Sequence, residues 1–207
     1  MPCRLCFFLH RPHVSGKKQS LSHAMEQFVY RYPHPAVTAD CVVFGLDGHN
    51  LKILLVERGT DPCKGMWAFP GGFMNIDETA EQCALRELKE ETGLELRFIR
   101  QIGAFSEVHR DPRERVVTIA FYALTEVSAV CGNDDATQAR WWDLDKTPPL
   151  AFDHDTILRQ AVQFLRQDSL ADANMSGGAL LVADLQRLYD RYSAMPPSDS
   201  NTKQRFR

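Results

Sequence analysis

Three glutamates at helical spacing are the residues of this chain whose arrangement could do chemistry. Glu87, Glu90 and Glu91 stand at positions i, i+3 and i+4, so in a helix their side chains leave one face. Carboxylates placed in this way repel one another, and a hard divalent cation, which prefers anionic oxygen ligands, offsets that repulsion. Taken alone, the three residues also fit a solvated helix surface, which is the commoner use of such a pattern.

The residues around the glutamates favour the metal-site interpretation. Glu78 lies at the start of the same helical pattern, where the helix dipole favours a carboxylate. Arg86 can orient acidic side chains near the cluster. Gly71 and Gly72 let the main chain turn sharply and bring a carbonyl close to the acidic face. The sequence therefore predicts an acidic site built on one helix and the turn before it.

The elements that must position this site follow from periodicity and turn residues. A helix is predicted over 79–92, with Gly93 as its C-terminal stop. Strands are predicted at 36–46, 51–57, 95–106, 115–125 and 138–143, with a turn at 47–50 and a polar loop at 59–66. Later segments are predicted as an amphipathic helix at 152–166, a loop at 168–178 and a helix at 179–192.

Composition limits the class of protein. The 207 residues, 44% of them hydrophobic, suit one domain with extensions: an N-terminal extension at 1–33 predicted to be disordered, a main domain at 34–167, and a C-terminal helix and disordered tail at 168–207. The net charge of −3 does not favour nucleic-acid binding, and no apolar run is long enough for a membrane span. Six scattered cysteines do not form a disulfide framework, so a cytoplasmic setting is predicted.

Residues 1–24 contain no Asp or Glu, and three interpretations stay open. They are a targeting peptide, a disordered tail, or a stretch that precedes a biological start at Met25. Cys3, Cys6, His10 and His13 could be zinc ligands, but only three residues separate the two pairs. Zinc fingers need a longer segment there for a small fold to close around the metal, so a zinc site is disfavoured.

The stretch 72–94, GFMNIDETAEQCALRELKEETGL, resembles the Nudix box, G-x5-E-x7-R-E-U-x-E-E-x-G-U, where U is a bulky apolar residue. The defined positions that match are Gly72, Glu78, Arg86, Glu87, Leu88, Glu90, Glu91, Gly93 and Leu94. The resemblance to the Nudix hydrolase family implies an α/β fold, an α/β/α sandwich with a mixed sheet, over about 36–167. It also implies that the box forms a loop–helix–loop that carries divalent ions.

The same resemblance implies roles for individual residues. Glu87, Glu90 and Glu91 would be catalytic metal ligands for Mg²⁺, with Mn²⁺ as a substitute, and the Gly72 carbonyl would be a further ligand. Arg86 would act with them, and Glu78 would support the loop. Metal ions would neutralise a diphosphate and activate water for attack on phosphorus.

The general base is not assigned by the sequence. A box glutamate could assist the attacking water, and so could a carboxylate elsewhere. Asp134 and Asp135, before the predicted strand at 138–143, are candidates for that role. The alternative for this pair is a polar turn.

Substrate selection must come from residues outside the box. Trp67 and Phe69 could stack on a base or pack in the core, and Arg58 could contact phosphate or face solvent. Arg113 and Arg115 follow an Asp-Pro pair, and guanidinium groups suit phosphate binding; the alternative is a solvated turn.

The order KGMWAFPGGF, box, D-P-R-x-R loop and VVTIAF resembles ADP-ribose pyrophosphatases. This resemblance implies a small-molecule nucleotide substrate, with hydrolysis of ADP-ribose to AMP and ribose 5-phosphate. The core also resembles Nudix-related transcriptional regulators, which leaves a regulator or an ADP-ribose sensor as the alternative. Few basic residues follow position 168, so the enzyme is favoured and nucleic acid is not the expected partner. Family resemblance also suggests a homodimer.

Overall fold

The computed structural model describes residues 31–47, 50–132 and 136–171. Several predictions therefore lie outside the described residues. They are those for residues 1–24 with the zinc alternative, for the tip of the turn at 48–49, for Asp134 and Asp135, and for the helix at 179–192 with the tail that follows it.

From His34 onward, the described residues form a sheet, two α-helices and a short 3-10 helix. The strands are β1 (Ala36–Asp47), β2 (Asn50–Arg58), β3 (Trp67–Ala68), β4 (Gly71–Phe73), β5 (Arg100–Phe105), β6 (Val116–Glu126) and β7 (Ala136–Asp143). The helices are α1 (Ala80–Thr92) and α2 (His154–Ala171), and the 3-10 turn is Leu144–Lys146.

The sheet is mixed, with the strand order β3-β2-β1-β6-β5. Strands β1 and β6 pair in parallel from Ala36 to Leu46, and the other pairs are antiparallel. Strand β1 changes neighbours along its length. Its end pairs with β2, whereas Thr38–Asp40 pairs with β4. This exchange places the glycine-rich β4 beside the first half of β1, close to α1.

The alternating side chains of β1 divide the core into two layers. Ala39, Cys41 and Val43 pack with the buried residues of α1, and Val42 and Phe44 pack with those of α2. The period of two along a strand sends successive side chains to opposite faces, so a helix covers each face. This arrangement confirms the predicted α/β/α sandwich with a mixed sheet.

The ends of α1 are set by local sequence. Thr79 caps the N-terminus, and Gln82 hydrogen-bonds back to complete a capping box. Gly93 ends the helix at φ 72°, a left-handed conformation that favours glycine. The predicted helix at 79–92 is confirmed, with Thr79 as the cap rather than the first helical residue.

Three segments differ from the sequence-based expectations. Helix α2 begins at His154, because Phe152 has φ 53° and is not helical, and it continues to Ala171, so residues 168–171 are helical rather than loop. Strand β5 is shorter than the predicted 95–106. Strands β3 and β4 were not predicted because two or three residues carry no periodicity. Among the described helices, none has the length and hydropathy needed to cross a bilayer.

Candidate active site

Arg86 is the centre of an ion-pair network on α1. Its guanidinium donates two hydrogen bonds to the carboxylate of Glu78, at 2.9 and 2.7 Å. Its Nη1 donates to Glu87 at 2.7 Å and to Glu90 at 2.9 Å, and its Nη2 donates to the Phe73 carbonyl at 3.2 Å. The hydrogen bonds from Arg86 lower the pKa of Glu78 to about 2. Arg86 thus ties the helix to the preceding loop.

Glu91 is the most strongly perturbed carboxyl of the acidic cluster. Burial raises its pKa to about 8, and the negative charges of Glu87 and Asp40 add to that rise. The Gly71 N–H donates to Glu91 Oε2 at 3.0 Å and works in the opposite direction. A buried carboxylate with an elevated pKa in a cavity is a recognised sign of a functional site.

Glu87 lies directly against the glycine turn. A Cβ added to Gly72 would overlap the Glu87 carboxylate, so a larger residue at this position would displace that side chain. Burial raises the pKa of Glu87, and the hydrogen bond from Arg86 opposes the rise. The Gly72 carbonyl accepts a long hydrogen bond from Cys83 Sγ at 3.7 Å. Strand β4 and helix α1 are therefore in contact through the predicted metal ligands.

The acidic residues of the cluster have the chemistry of metal ligands but are not arranged around a common point. Within the described ranges, no three Asp, Glu, His or Cys side chains are gathered closely enough to hold a metal, and Glu87 and Glu90 are both paired with Arg86. The donors are nevertheless hard oxygens of the type that Mg²⁺ prefers. Burial raises the pKa values of Glu87 and Glu91, and neighbouring carboxylates add to the rise, so a cation bound there would favour the ionised forms of both.

A cavity of about 330 Å³ joins the acidic cluster to several arginines. Its acidic lining residues are Asp40, Glu57, Glu87, Glu91 and Asp111, and its arginines are Arg58, Arg86, Arg110 and Arg113. The volume is at the lower end of the range for small-molecule sites, roughly 300–1,000 Å³. The cavity thus combines groups that could hold a cation with groups that could hold phosphate.

The arginines are held in defined positions. Arg110 makes a bidentate pair with Asp153, at 3.0 and 2.6 Å, and Arg113 makes one with Asp111. Arg58 donates from Nε to the Pro62 carbonyl at 2.9 Å. Burial lowers the pKa of Arg58, and the nearby charge of Arg113 adds to that effect.

Two aromatic rings lie among these arginines. The Arg58 guanidinium is 4.8 Å from the centroid of Phe152, and that of Arg113 is 5.4 Å from the centroid of Phe73. Phe152 has a positive φ, which is strained for a bulky residue. The cavity therefore has apolar faces beside its cationic groups.

Some sequence-predicted residues lie elsewhere. Trp67 does not line the cavity. Its ring packs edge-on against that of Trp142, with centroids 5.1 Å apart, which favours the packing alternative over base stacking. Arg115 is also outside the lining and holds the carbonyls of Ser106 and Glu107. Glu90 does not line the cavity; its side chain is 45% exposed and pairs with Arg86. Phe69 lines the cavity but is buried and stacked on His154.

Sequence reasoning missed the polar floor of the cavity. Asp40, Thr118 and His154 are buried there and lie on β1, β6 and the start of α2. Asp40 interrupts a β-rich run, and His154 stands at the end of a helical pattern. A polar residue inside an apolar strand was the available signal, but its partners are about 80 or more positions away.

Comparison with known proteins agrees with the fold and the box. The family model described as NUDIX domain matches residues 34–161. An ADP-ribose pyrophosphatase of Methanocaldococcus jannaschii is 40% identical over 133 residues, which is 64% of this chain and 76% of the relative. An "ADPR responsive transcriptional repressor NtrR" of Acinetobacter baylyi is 32% identical over 167 residues, covering 77% of this chain and 67% of the repressor.

A solved structure extends the comparison to ligand binding. The NUDIX domain of Shewanella oneidensis NrtR, crystallised with ADP ribose, superposes with a TM-score of 0.61 at 34% identity. The match covers 65% of this chain and 90% of that domain. The family model spans more than half of the chain, and the box and the sandwich fold agree with it. The chain therefore belongs to the Nudix family.

Proposed function

We propose that this protein is a Mg²⁺-dependent Nudix hydrolase that cleaves ADP-ribose to AMP and ribose 5-phosphate. The observation that carries the proposal is the single cavity in which Glu87 and Glu91 meet Arg58, Arg110 and Arg113. A diphosphate needs cations for its oxygens and an activated water for its phosphorus, and this cavity offers groups for both tasks. The similarity to an ADP-ribose pyrophosphatase supports the choice of substrate.

The metal would be held by Glu87, Glu90, Glu91 and the Gly72 carbonyl. Nudix hydrolases generally use a divalent metal ion; Mg²⁺ is the ion proposed for this chain, and Mn²⁺ is its substitute. When bound, the ion supplies positive charge to the diphosphate and promotes attack by water. Arg86 keeps Glu87 and Glu90 on one side of the helix, because it donates to both. Gly71 fixes Glu91 through its N–H.

The arginines that line the cavity would hold the substrate. Arg58 and Arg113 line the cavity beside aromatic rings, so each can offer hydrogen bonds to phosphate while the rings offer apolar surface to a base or ribose. Arg110 and Arg113 are each paired with an aspartate, Asp153 and Asp111, so these pairs would set the direction in which the two guanidinium groups face the phosphate. Phe69, Trp67 and Arg115 are assigned to packing and loop support.

A general base must reach the attacking water. Glu87 and Glu91 line the cavity and satisfy that condition, whereas Glu90 lies outside the lining. Among the described acidic residues of the box, the base is therefore proposed to be one of these two. In the reaction, water forms a bond to one phosphorus, the bridging P–O bond breaks, and the other phosphate leaves.

A substrate panel tests the proposal. ADP-ribose, NADH, diadenosine polyphosphates, nucleotide sugars and oxidised nucleotides would each be incubated with the protein and Mg²⁺, and the products separated by chromatography. The expected result is the highest kcat/KM for ADP-ribose, with AMP as a product. A higher kcat/KM for another compound would contradict the proposed substrate. If none of the compounds gives a phosphate-containing product, the proposal that the protein is a hydrolase is wrong.

A second candidate function is ADP-ribose-responsive gene regulation. It is favoured by the similarity to the repressor of Acinetobacter baylyi, which spans 77% of this chain. A gel-shift selection with random duplex DNA at physiological salt tests it. Sequence-specific binding that ADP-ribose alters would support regulation, and salt-sensitive binding without sequence preference would count against it.

The surroundings of the enzyme are proposed to be cytoplasmic. None of the four described cysteines forms a disulfide. Burial raises the pKa of Cys41 and of Cys83 to about 12, which keeps both thiols protonated and unreactive. A small-molecule nucleotide is the proposed partner.

A further inference from the structure

His154, the first residue of α2, is held on one side by the main chain of Phe69, which lies between β3 and β4. Its ring is buried, and its Nδ1 accepts a hydrogen bond from the Phe69 N–H at 3.1 Å. The ring also lies parallel to that of Phe69, with centroids 4.9 Å apart and planes 6° apart. Position and orientation of the Phe69 main chain are thereby coupled to α2.

The other side of His154 faces a buried carboxylate. Its Nε2 is 3.9 Å from Asp40 Oδ2, and Thr118 donates to the same oxygen at 2.7 Å. Because Nδ1 accepts from Phe69, the proton of the neutral ring lies on Nε2 and points toward Asp40. Burial lowers the pKa of His154, which keeps the ring neutral. The imidazole thus has a defined tautomer, with Nδ1 hydrogen-bonded to Phe69 and Nε2 facing Asp40 beyond hydrogen-bond distance.

The Phe69–Gly71 segment links His154 to Glu91 through main-chain hydrogen bonds. The Pro70 carbonyl accepts from the Cys41 N–H at 2.9 Å, and the Gly71 N–H donates to Glu91 at 3.0 Å. A Cβ on Gly71 would overlap the Asp40 carboxylate and the Ala39 carbonyl, so β4 lies directly on β1. A shift of the Phe69 main chain would therefore move the amide that orients Glu91.

We propose that His154 is a positioning residue that holds the Phe69–Gly71 segment in register and, through the Gly71 amide, fixes the carboxylate of Glu91. Its consequence for turnover rests on the proposed function, whereas its consequence for the loop does not. A simple core role would instead make His154 important only for stability.

Two substitutions separate the positioning role from packing. His154→Phe keeps an aromatic ring against Phe69 but leaves the Phe69 N–H without its acceptor. His154→Asn loses the ring but places an oxygen near the Nδ1 position. Leu165→Ala, about three turns further along α2, is the matched control, because Leu165 is buried in the same helix and does not line the cavity.

Three readouts are measured on the full chain: hydrogen exchange of the Gly71 amide, Mn²⁺ affinity by electron paramagnetic resonance, and kcat and KM for ADP-ribose. His154→Phe should speed Gly71 exchange, weaken Mn²⁺ binding about 10-fold and lower kcat more than it changes KM. His154→Asn should restore much of each property, and Leu165→Ala should lower only the melting temperature.

The outcomes distinguish the inference from the proposed function. If His154→Phe alters Gly71 exchange and Mn²⁺ affinity no more than Leu165→Ala does, His154 is a packing residue and the inference is wrong. If the wild type does not hydrolyse ADP-ribose but His154→Phe still changes exchange and Mn²⁺ binding as expected, the proposed substrate fails and the positioning role stands.

Discussion

The residues of the acidic cluster differ sharply in their surroundings, although the sequence presents them as equivalents. Glu90 is half exposed and paired with Arg86, whereas Glu91 is more enclosed and is oriented by a main-chain amide. A buried carboxylate is costly unless a cation or hydrogen bonds compensate it. Glu91 is therefore expected to be the most sensitive member of the cluster.

Charge removal at Glu91 tests that ranking. Glu91→Gln keeps the volume and an oxygen for the Gly71 amide, so the fold should remain intact while kcat falls by roughly 100-fold. Glu90→Gln should also lower turnover, because it removes charge from the metal site, but by a smaller factor. Rates measured at saturating Mg²⁺ check this. A Glu91→Gln variant with near-normal kcat would show that the metal site is misplaced.

The raised pKa of Glu91 also predicts how stability changes with pH. A carboxyl whose pKa rises from 4.5 to about 8 on folding stabilises the fold in its protonated form. That contribution is complete below about pH 4.5 and is lost as the pH rises through 8. The metal-free protein should therefore lose unfolding free energy across this interval, and Mg²⁺ should restore it because the ion needs the ionised carboxylate.

Urea denaturation with EDTA at about pH 5, 7 and 8.5 measures this effect. Glu91→Gln is the control, since it lacks the titrating group and should show a smaller pH dependence. Parallel curves for the wild type and the variant would contradict the assignment of the shift to Glu91.

At the scale of elements, the site depends on the contact between β4 and α1. The two elements approach so closely that a Cβ at Gly72 would overlap the carboxylate of Glu87. The capping box at Thr79 and the left-handed Gly93 fix where α1 begins and ends, and so fix the rotation of its acidic face. These local signals are present in the sequence, and for that reason the helix was predicted nearly to the residue.

Gly72→Ala tests the β4–α1 contact. The added methyl should displace Glu87 and lower kcat about 100-fold, since small misplacements of catalytic groups are expensive. Gly103→Ala is the matched control, because a Cβ at Gly103 meets nothing within 4 Å. Equal activities of the two variants, measured at saturating Mg²⁺, would show that the close approach is unimportant for turnover.

At the scale of the whole molecule, the cavity collects residues that are far apart in the chain. The box helix and most strands could be predicted from periodicity and turn residues, because these are local signals. The sandwich and its mixed sheet were expected from the resemblance of the box to the Nudix family. The floor formed by Asp40, Thr118 and His154 could not be predicted, because it requires the parallel pairing of β1 with β6 and the docking of α2. Trp67 and Arg115 were predicted as substrate-binding residues, although neither lines the cavity, because the local sequence does not show which way their side chains point in the fold.

The arginine loop provides a test at this scale. Arg113 lines the cavity, and Arg115 holds loop carbonyls outside it. Arg113→Lys should raise the KM for ADP-ribose about 10-fold, because Lys cannot reproduce the planar, bidentate pair with Asp111 that holds the Arg113 guanidinium in the cavity. Arg115→Lys is the control and should change the KM less. The opposite order in steady-state kinetics would assign phosphate binding to Arg115.

The central claim is that the Glu91 site performs metal-dependent cleavage of a nucleoside diphosphate, and one assay tests it most directly. Wild-type protein and Glu91→Gln would be incubated with ADP-ribose in Mg²⁺ or in EDTA, and AMP and ribose 5-phosphate would be quantified. We expect equal amounts of the two products from the wild type with Mg²⁺, almost none with EDTA, and little from the variant. Absence of AMP from the wild type, or equal AMP formation in EDTA, would contradict the claim.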